Sequence, residues 1–201
     1  MMTDNTPTSF PLTLIAGPCS AETEQQLFST AAALKVEGVT AFRAGIWKPR
    51  TSPSSFQGVG EAGLPWLQEV QERYHLPVAL EVATPDHVQA VFNSLSAEGG
   101  PTAQRSYSTQ CGPTAQRSFS DSGLYLWLGA RTSANPIAVQ AIADALASQR
   151  SYSTQCGPSA QRSFSEAVLQ PTAVLIKNPV NEDVNLWIGN VERLQAAGVK
   201  V

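Results

Sequence analysis

Short apolar runs alternate with amphipathic segments five times along this chain, and this alternation constrains the fold more than any other feature of the sequence. The apolar runs have the length and composition of buried strands, and the segments between them place apolar residues at helical spacing. Strands that alternate with helices predict a parallel sheet covered by helices, an α/β fold. The predicted strands are Leu12–Gly17, Thr40–Ala44, Val78–Val82, Leu124–Leu128 and Ala173–Ile176.

The segments between the strands carry helix start signals. Thr84 suits an N-cap and Pro85 suits the first helical position. Asn181 is predicted to open the last helix, because Glu182 and Asp183 would then lie in its first turn, where acidic residues are favourable. The first two predicted helices are Glu22–Val36 and Glu61–Tyr74. Three further helices are predicted with buried stripes: one from Thr84 with Val88, Val91, Phe92 and Leu95, one with Val139, Ile142, Ala143 and Leu146, and one from Asn181 with Val184, Trp187, Ile188 and Val191. The segment Gly198–Val201 is predicted to start a sixth strand.

Two nearly identical segments, 103–120 and 148–165, interrupt the alternation. They are rich in Ser, Gln and Arg and have little to bury, which predicts low-complexity insertions over 97–122 and 148–170 in a single domain, 1–201. An interaction loop is the alternative, because long loops are often functional. Each insertion runs from a helix into the next strand, so both should project from the amino-terminal face of the sheet.

Composition excludes several classes of function. The net charge is −3 and no basic stripe is present, which argues against a nucleic-acid partner. No apolar run approaches the roughly 20 residues of a membrane span, and the N-terminus lacks the pattern of a signal peptide. The three cysteines, Cys19, Cys111 and Cys156, are too few for a disulfide framework. We therefore expect a cytoplasmic protein with no membrane partner, in which Cys111 and Cys156 are exposed thiols without a role.

Cations cluster where the predicted strands end. The second strand leads into Arg43, Lys48 and Arg50, and Arg131 and Lys177 follow the fourth and fifth strands. Ligands of parallel α/β folds bind at the carboxyl ends of the strands. Arginine and lysine hold phosphate and carboxylate groups by charge-assisted hydrogen bonds. The pattern predicts a site for small molecules that carry both groups.

Five segments, in this order, resemble the 3-deoxy-D-arabino-heptulosonate 7-phosphate (DAHP) synthase family, in its short bacterial-type branch. The octulosonate-phosphate synthases share the Gly-Pro-Cys start but lack a Lys-Pro-Arg-Thr loop, so they are less similar. The resemblance covers nearly all of the chain outside the two repeats, and it implies a (β/α)8 TIM barrel. The segments are Ile15–Ser20, Arg43–Ser52, Ser55–Gly58, Leu128–Thr132 and Lys177–Pro179.

The resemblance also implies a function. Members of the family are transferases that condense phosphoenolpyruvate with erythrose 4-phosphate and water to give DAHP and phosphate, the first step of the shikimate pathway to chorismate and the aromatic amino acids. They need a divalent metal ion of the Mn, Fe, Zn or Co type. By motif match, the residues that would bind phosphoenolpyruvate are Arg43, Lys48, Arg131 and Lys177, and Lys48 would also be catalytic in proton transfer. Erythrose 4-phosphate would be bound by Arg50, Thr51 and Ser52. The thiolate of Cys19 would bind the metal.

Several of these residues also have a purely structural interpretation. Cys19 could be a small buried residue, and Arg131 and Lys177 could form ion pairs with Glu81. The two histidines are expected to be structural or solvated, and the four tryptophans to pack in the core or in loops. These residues are His75 and His87, and Trp47, Trp66, Trp127 and Trp187.

A barrel of this type has eight strands over roughly 250 residues, whereas this sequence predicts about five β/α units. The family's other metal ligands (a His, a Glu and an Asp) and one further phosphate-binding Arg come from the last strands, and we find no counterpart for them. We therefore expect the N-terminal portion of a synthase that is a homo-oligomer when complete. The alternative is a catalytically inactive truncated remnant, at most an anion-binding half-barrel. A homodimer of two half-barrels ranks last as a catalyst.

Overall fold

The structure, a computed structural model, describes residues 13–52, 54–96, 123–151, 171 and 173–201. Within these residues, five parallel strands form one sheet in the sequential order β1-β2-β3-β4-β5. All five predicted strands are confirmed, and β4 and β5 have the predicted bounds. The strands are β1 Ile15–Ala16, β2 Ala41–Ala44, β3 Val78–Glu81, β4 Leu124–Leu128 and β5 Ala173–Ile176.

The register of the sheet aligns the carboxyl ends of neighbouring strands. Ala44 at the end of β2 pairs with Leu80 of β3, and Glu81 at the end of β3 pairs with Trp127 of β4. Leu128 at the end of β4 pairs with Ile176 at the end of β5. Residues that follow these strands therefore share one edge of the sheet.

Six α-helices and a 3-10 turn occupy the described segments between and after the strands. Thr23 caps α1 by accepting a hydrogen bond from the Gln26 N–H, and Thr84 accepts one from the His87 N–H at the start of α3, as predicted. Asn135 Oδ1 accepts from the Ile137 and Ala138 N–H groups at the start of α5. The helices are α1 Glu24–Val36, α2 Leu64–Tyr74 after the 3-10 turn Gly60–Gly63, α3 Pro85–Ser96, α4 Ala130–Ser133, α5 Pro136–Ser151 and α6 Val184–Ala196.

The core lies between the sheet and its helices. Phe42, Leu80 and Leu126 from three adjacent strands are fully or almost fully buried. The predicted apolar stripe of α5 is confirmed, because all four of its residues have no exposed surface. The predicted stripe of α3 is confirmed at its three described side chains. The α5 residues are Val139, Ile142, Ala143 and Leu146, and the α3 residues are Val88, Val91 and Phe92.

The prediction for the last helix is wrong in two respects. Its N-cap is Asp183 rather than Asn181, because the Asp183 carboxylate accepts the Leu186 N–H. Three of the four residues of the predicted stripe also face outward, with Val184 61%, Trp187 38% and Ile188 49% exposed, whereas Val191 is partly buried. The helix packs against α5 and turns Asn190 and Leu194 inward instead. The apolar stripe of a helix is buried only where a neighbour covers it, and within the described residues no element covers this one.

The segment Gly198–Val201, predicted as the start of a sixth strand, is not a strand in the structure. It nevertheless lies beside β5, because the Val174 N–H donates a hydrogen bond to the Lys200 carbonyl. Segment 97–122 links the end of α3 to the start of β4, and the second predicted insertion precedes β5 after its first four residues extend α5 to Ser151. The rest of both predicted insertions, with Cys111 and Cys156, lies outside the described residues.

Candidate active site

The predicted site residues lie at the carboxyl ends of the strands. Arg43 is the penultimate residue of β2 and Lys177 follows the last residue of β5 directly. Cys19 lies in the loop after β1, and Lys48 and Arg50 lie in the loop after β2. Arg131 is the second residue of the short helix α4, just after β4. The topology therefore gathers these residues from four of the five strands at one edge of the sheet.

Lys48 is a buried cation, with only 7% of its surface exposed. Its ammonium group donates a hydrogen bond to the Cys19 carbonyl, and Nζ lies 3.8 Å from Cys19 Sγ. Cys19 is a free, exposed thiol, which argues against the interpretation of it as a small buried residue. A methyl group at Gly45 would overlap both the Lys48 ammonium and the Cys19 carbonyl oxygen. A glycine is thus required where Lys48 reaches the loop after β1.

Backbone hydrogen bonds fix the loop that carries Lys48. The Lys48 N–H donates to the Gln57 carbonyl at 2.8 Å, and the Gly60 N–H donates to the Ile46 carbonyl at 2.9 Å. Gly58 has a φ of +96°, and a side chain there would overlap the Ile46 carbonyl. The loop after β2, residues 45–59, is therefore folded back on itself with Lys48 inside it, and is called the Lys48 loop below.

Arg43 is held by an aromatic ring from another strand. Its guanidinium carbon lies 4.8 Å from the ring centroid of Trp127 on β4, a cation–π contact. Arg43 Nε is buried and has no hydrogen-bond partner among the described residues, and neither has Ser20 Oγ. Buried polar atoms in proteins are nearly always hydrogen-bonded. The unpaired Nε therefore points to an acceptor outside the described residues.

Arg131 links two neighbouring parts of the site. Its Nη1 donates a hydrogen bond to the Pro49 carbonyl at 2.6 Å, which ties the end of β4 to the Lys48 loop. The Lys177 N–H donates to the Leu128 carbonyl, and the Lys177 side chain is exposed. The one ion pair recorded among the described residues is Arg73–Glu69 on α2. Ion pairs of Arg131 or Lys177 with Glu81 are therefore not part of this structure.

The residues predicted for the second substrate lie at the outer end of the Lys48 loop. Arg50, Thr51 and Ser52 are all exposed. The Ser52 hydroxyl lies 2.8 Å from that of Ser54, and the Gln57 amide donates to the Ser52 carbonyl. The recorded hydrogen bonds of this segment stay within the loop. The structure places it next to Lys48 in the chain but does not bring its side chains onto the other predicted residues.

The described residues do not fit the divalent metal that the resemblance implies. Within the described ranges, no group of three or more His, Cys, Asp or Glu side chains could hold a metal ion. Cys19 is the one predicted metal ligand, and a divalent ion in a protein site takes several ligands. The part of the chain that the structure describes therefore supplies at most one ligand of such a site.

Sequence reasoning missed an aromatic contact beside Lys48. The rings of Trp47 and His87 are stacked, with centroids 4.2 Å apart and planes 7° from parallel. The Ala83 N–H donates a hydrogen bond to His87 Nδ1 at 3.2 Å. Burial lowers the pKa of His87, although Asp86 and Glu61 act in the opposite direction. No sequence signal pairs the two rings, because they follow different strands and meet only in the folded chain.

An open cavity of about 500 Å³ lies between α2 and α3. Its polar lining residues are Glu61, Asp86, Gln89, Asn93 and Ser94, and none of the predicted site residues lines it. The cation cluster, rather than this groove, is therefore the candidate active site. None of the described helices is long and apolar enough to cross a membrane.

The fold and the site define a class: an α/β protein whose cations gather at the carboxyl ends of sequential parallel strands. Comparison with known proteins agrees with this class. Residues 8–98 match the model of the DAHP synthetase I family. Over 79 residues the chain is 47% identical to the phospho-2-dehydro-3-deoxyheptonate aldolase of Thermotoga maritima, a match that covers 39% of this chain and 23% of that protein.

Octulosonate relatives match the same share of the chain. The 2-dehydro-3-deoxyphosphooctonate aldolase of Desulfatibacillum aliphaticivorans is 40% identical over 87 residues, 39% of this chain and 31% of that protein. That of Magnetococcus marinus is 42% identical over 88 residues, 40% of this chain and 31% of that protein. These matches leave the choice between the two activities open.

Solved structures support the fold. The DAHP synthase of Thermotoga maritima superposes with a TM-score of 0.58 at 24% identity, over 93% of this chain and 38% of that chain. A truncated form of the Thermotoga enzyme superposes with a TM-score of 0.56 at 22% identity, over 94% of this chain and 48% of that chain. The chain spans less than half the length of these relatives. Residues 8–98 are similar to the DAHP synthetase I family, and the chain has the fold of part of a TIM barrel.

Proposed function

We propose that this chain contributes the phosphoenolpyruvate site of a 3-deoxy-7-phosphoheptulonate synthase, which converts phosphoenolpyruvate, erythrose 4-phosphate and water to DAHP and phosphate. The observation that carries the proposal is Lys48, a buried cation in a Lys-Pro-Arg-Thr loop that reaches the loop after β1. A buried ammonium group is costly unless it is paired. Its recorded protein acceptors are the neutral Cys19 carbonyl and, at 3.8 Å, the Cys19 sulfur, so an anionic ligand would complete its environment.

Phosphoenolpyruvate fits the charges at this edge of the sheet. It carries a phosphate and a carboxylate, and each anionic group accepts charge-assisted hydrogen bonds from arginine or lysine. Arg43 has a buried Nε with no partner among the described residues, and Lys48 has three donor protons, one of which reaches Cys19. Arg131 is anchored to the same loop by its bond to Pro49. Together with Lys177 these cations can neutralise both anionic groups of the ligand.

Lys48 is also the proposed proton donor. When carbon 3 of phosphoenolpyruvate attacks the aldehyde carbon, a carbon–carbon bond forms and the aldehyde oxygen gains negative charge. A positioned ammonium group can give that oxygen a proton in a general-acid step. Water then adds to carbon 2 of phosphoenolpyruvate and gives up a proton. The bond between carbon 2 and the phosphate oxygen breaks, which releases inorganic phosphate and leaves a ketone at carbon 2. Burial and the bond to Cys19 limit the movement of the Lys48 side chain.

The exposed end of the loop is the proposed site for the phosphate of erythrose 4-phosphate. Arg50 offers a planar, bidentate phosphate donor, and Thr51 and Ser52 offer hydroxyl groups. The octulosonate relatives make an octulosonate product a second candidate activity. The Lys-Pro-Arg-Thr loop and the higher identity to the heptonate enzyme favour the four-carbon aldose phosphate.

Further parts of the proposal rest on the family. Cys19 would provide one ligand of a divalent metal ion of the Mn, Fe, Zn or Co type, with the other ligands from outside the described residues. The reaction would open the shikimate pathway to chorismate and the aromatic amino acids. A cytoplasmic location and a homo-oligomeric complete enzyme are proposed on the same ground.

Titration of phosphoenolpyruvate into the full chain tests the site. We expect stoichiometric binding that Lys48→Ala weakens by about tenfold or more, since a charge-assisted hydrogen bond contributes about 1.5–3 kcal/mol. Lys35→Ala is the matched control, because Lys35 is an exposed lysine in the last turn of α1. Equal binding by the wild type and Lys48→Ala would contradict the assigned site.

Phosphate release tests the reaction. With manganese and phosphoenolpyruvate present, release that depends on erythrose 4-phosphate supports the proposal, and release that depends on arabinose 5-phosphate instead supports the octulosonate activity. Binding of phosphoenolpyruvate without turnover of either aldose supports the alternative of an inactive, anion-binding half-barrel.

A further inference from the structure

The Trp47–His87 stack lies at the side of the candidate active site. Trp47 is the residue before Lys48 and is itself buried. Its ring lies against His87 in an almost parallel stack, with centroids 4.2 Å apart. His87 belongs to the first turn of α3, which follows the next strand of the sheet. The contact therefore joins the loop after β2 to the helix after β3.

The His87 ring has a fixed orientation. Its Nδ1 accepts the Ala83 N–H from the segment between β3 and α3. The His87 N–H in turn donates to the hydroxyl of Thr84, the residue before the helix. A histidine that accepts at Nδ1 carries its proton on Nε2 when it is neutral. The neutral ring is thus held at its own helix terminus and presents a flat face to Trp47.

Other contacts fix the rest of the Lys48 loop. The loop is held by the Lys48 N–H bond to Gln57 and by the Arg131 bond to Pro49. Lys48 Nζ is anchored on Cys19. On the side of β3 and α3, the recorded contact of Trp47 is the His87 ring. Removal of that ring would leave Trp47 without its stacking partner on this side.

We propose that His87 is a positioning residue, which holds the Lys48 loop in its ligand-binding arrangement through the stack on Trp47. The inference rests on the proposed function only in naming phosphoenolpyruvate as the ligand. His87 makes no recorded contact with the predicted substrate-binding residues among the described side chains. It acts through Trp47 on the neighbouring Lys48.

The arrangement should depend on the charge of His87. Protonation places a hydrogen on Nδ1, which then cannot accept the Ala83 N–H, so the ring has to move. Asp86 on α3 and Glu61 in the 3-10 turn favour the charged ring, but burial outweighs them and lowers the pKa of His87. The Lys48 loop also carries the cations Lys48 and Arg50, but its recorded contact with the His87 ring is the uncharged indole of Trp47. The stack should therefore be intact at neutral pH and be lost as pH falls below about 6.5, the ordinary pKa of histidine.

Tryptophan fluorescence, followed from pH 8 to pH 5 without ligand, tests the stack. We expect a transition with a midpoint below about 6.5 that is absent in both Trp47→Phe and His87→Phe. The chain has two histidines, so His75→Asn is the matched control. Asn tolerates the left-handed backbone of His75 (φ 53°), and this variant should keep the transition. A transition that persists unchanged in His87→Phe would overturn the proposal.

Binding of phosphoenolpyruvate at pH 7.5 tests the link to Lys48. His87→Phe keeps a flat ring and should bind within about twofold of the wild type. His87→Asn keeps an acceptor but loses the stack, and its affinity should fall about tenfold. Circular dichroism of each variant verifies that it is folded. Wild-type affinity in folded His87→Asn would also overturn the proposal.

The two tests separate this inference from the proposed function. If the wild type binds no phosphoenolpyruvate, the proposed function fails for this chain, and the fluorescence transition alone decides on the stack. If the wild type binds and Lys48→Ala does not, the site is supported. The affinities of the His87 variants then decide whether the stack positions it.

Discussion

Lys48 depends on a neighbour that has no side chain. Its ammonium group and the Cys19 carbonyl meet beside Gly45, and a methyl group at that position would overlap both. One of the two colliding atoms is backbone, which moves less readily than the end of a lysine side chain. The position of Lys48, and through it the proposed binding of an anion, therefore depends on the absence of a side chain at Gly45.

Gly45→Ala should displace Lys48 and weaken binding of phosphoenolpyruvate by about tenfold or more, because a lost charge-assisted hydrogen bond costs about 1.5–3 kcal/mol. The overlap should also cost about 1–3 kcal/mol in free energy of unfolding. Isothermal titration and urea denaturation measure the two effects.

Gly189→Ala is the control for this change. Gly189 lies within α6, and its added methyl group would meet only the flexible end of Arg193. Alanine favours a helix interior over glycine by about 0.5–1 kcal/mol, so this variant should be as stable as the wild type or more stable. If both variants bind and unfold like the wild type, the close approach at Gly45 is not needed.

At the scale of single elements, the start of α1 depends on one hydroxyl group. Thr23 precedes the helix in an extended conformation, and its Oγ1 accepts the Gln26 N–H at 3.2 Å. Thr30 lies within the same helix, where its hydroxyl donates to the Gln26 carbonyl. The same substitution can therefore be compared at a cap and in a helix interior.

Thr23→Ala should lower the free energy of unfolding by about 1 kcal/mol, since it leaves a helix N–H without its side-chain partner. Thr30→Ala should be neutral or raise it by about 0.5 kcal/mol, because alanine has the higher helix propensity. Thermal and urea denaturation of both variants measure the difference. Equal losses would mean that the Thr23 hydroxyl does not cap the helix.

The elements show which parts of the structure the sequence could predict. Local sequence patterns predicted the exact bounds of β4 and β5 and also the buried stripe of α5. They could do so because apolar periodicity and strand composition are local properties of the sequence. The same patterns fail for α6, because its buried side depends on where α5 lies. Strand-end cations were predictable for the same reason as the strands. The contacts of Arg43 with Trp127 and of Trp47 with His87 were not, since both depend on the tertiary register.

At the scale of the whole molecule, stability is unevenly distributed. Strands β2 to β5 and the inner sides of α1, α2, α3 and α5 contribute to one buried cluster. The outer side of α6 instead exposes Val184 and Ile188. Two isoleucines on successive long helices therefore have opposite environments: Ile142 on α5 is fully buried, whereas Ile188 on α6 is 49% exposed.

Substitution of these two residues by alanine measures that asymmetry. Ile142→Ala should cost about 2–5 kcal/mol, because it removes buried methyl groups and leaves a cavity in the core. Ile188→Ala should change the free energy of unfolding by less than about 1 kcal/mol, since half of the side chain already contacts water. Urea denaturation of both variants at low protein concentration gives the two values.

The result for Ile188 tells whether the outer face of α6 is exposed in solution or covered by another surface. A small cost at Ile188 means that the helix faces solvent as the structure shows. A cost as large as at Ile142 means that the α6 face is buried in solution, either against more of the same chain or against a second copy. Repeating the measurement over a hundredfold range of protein concentration distinguishes the two, because only burial between copies depends on concentration.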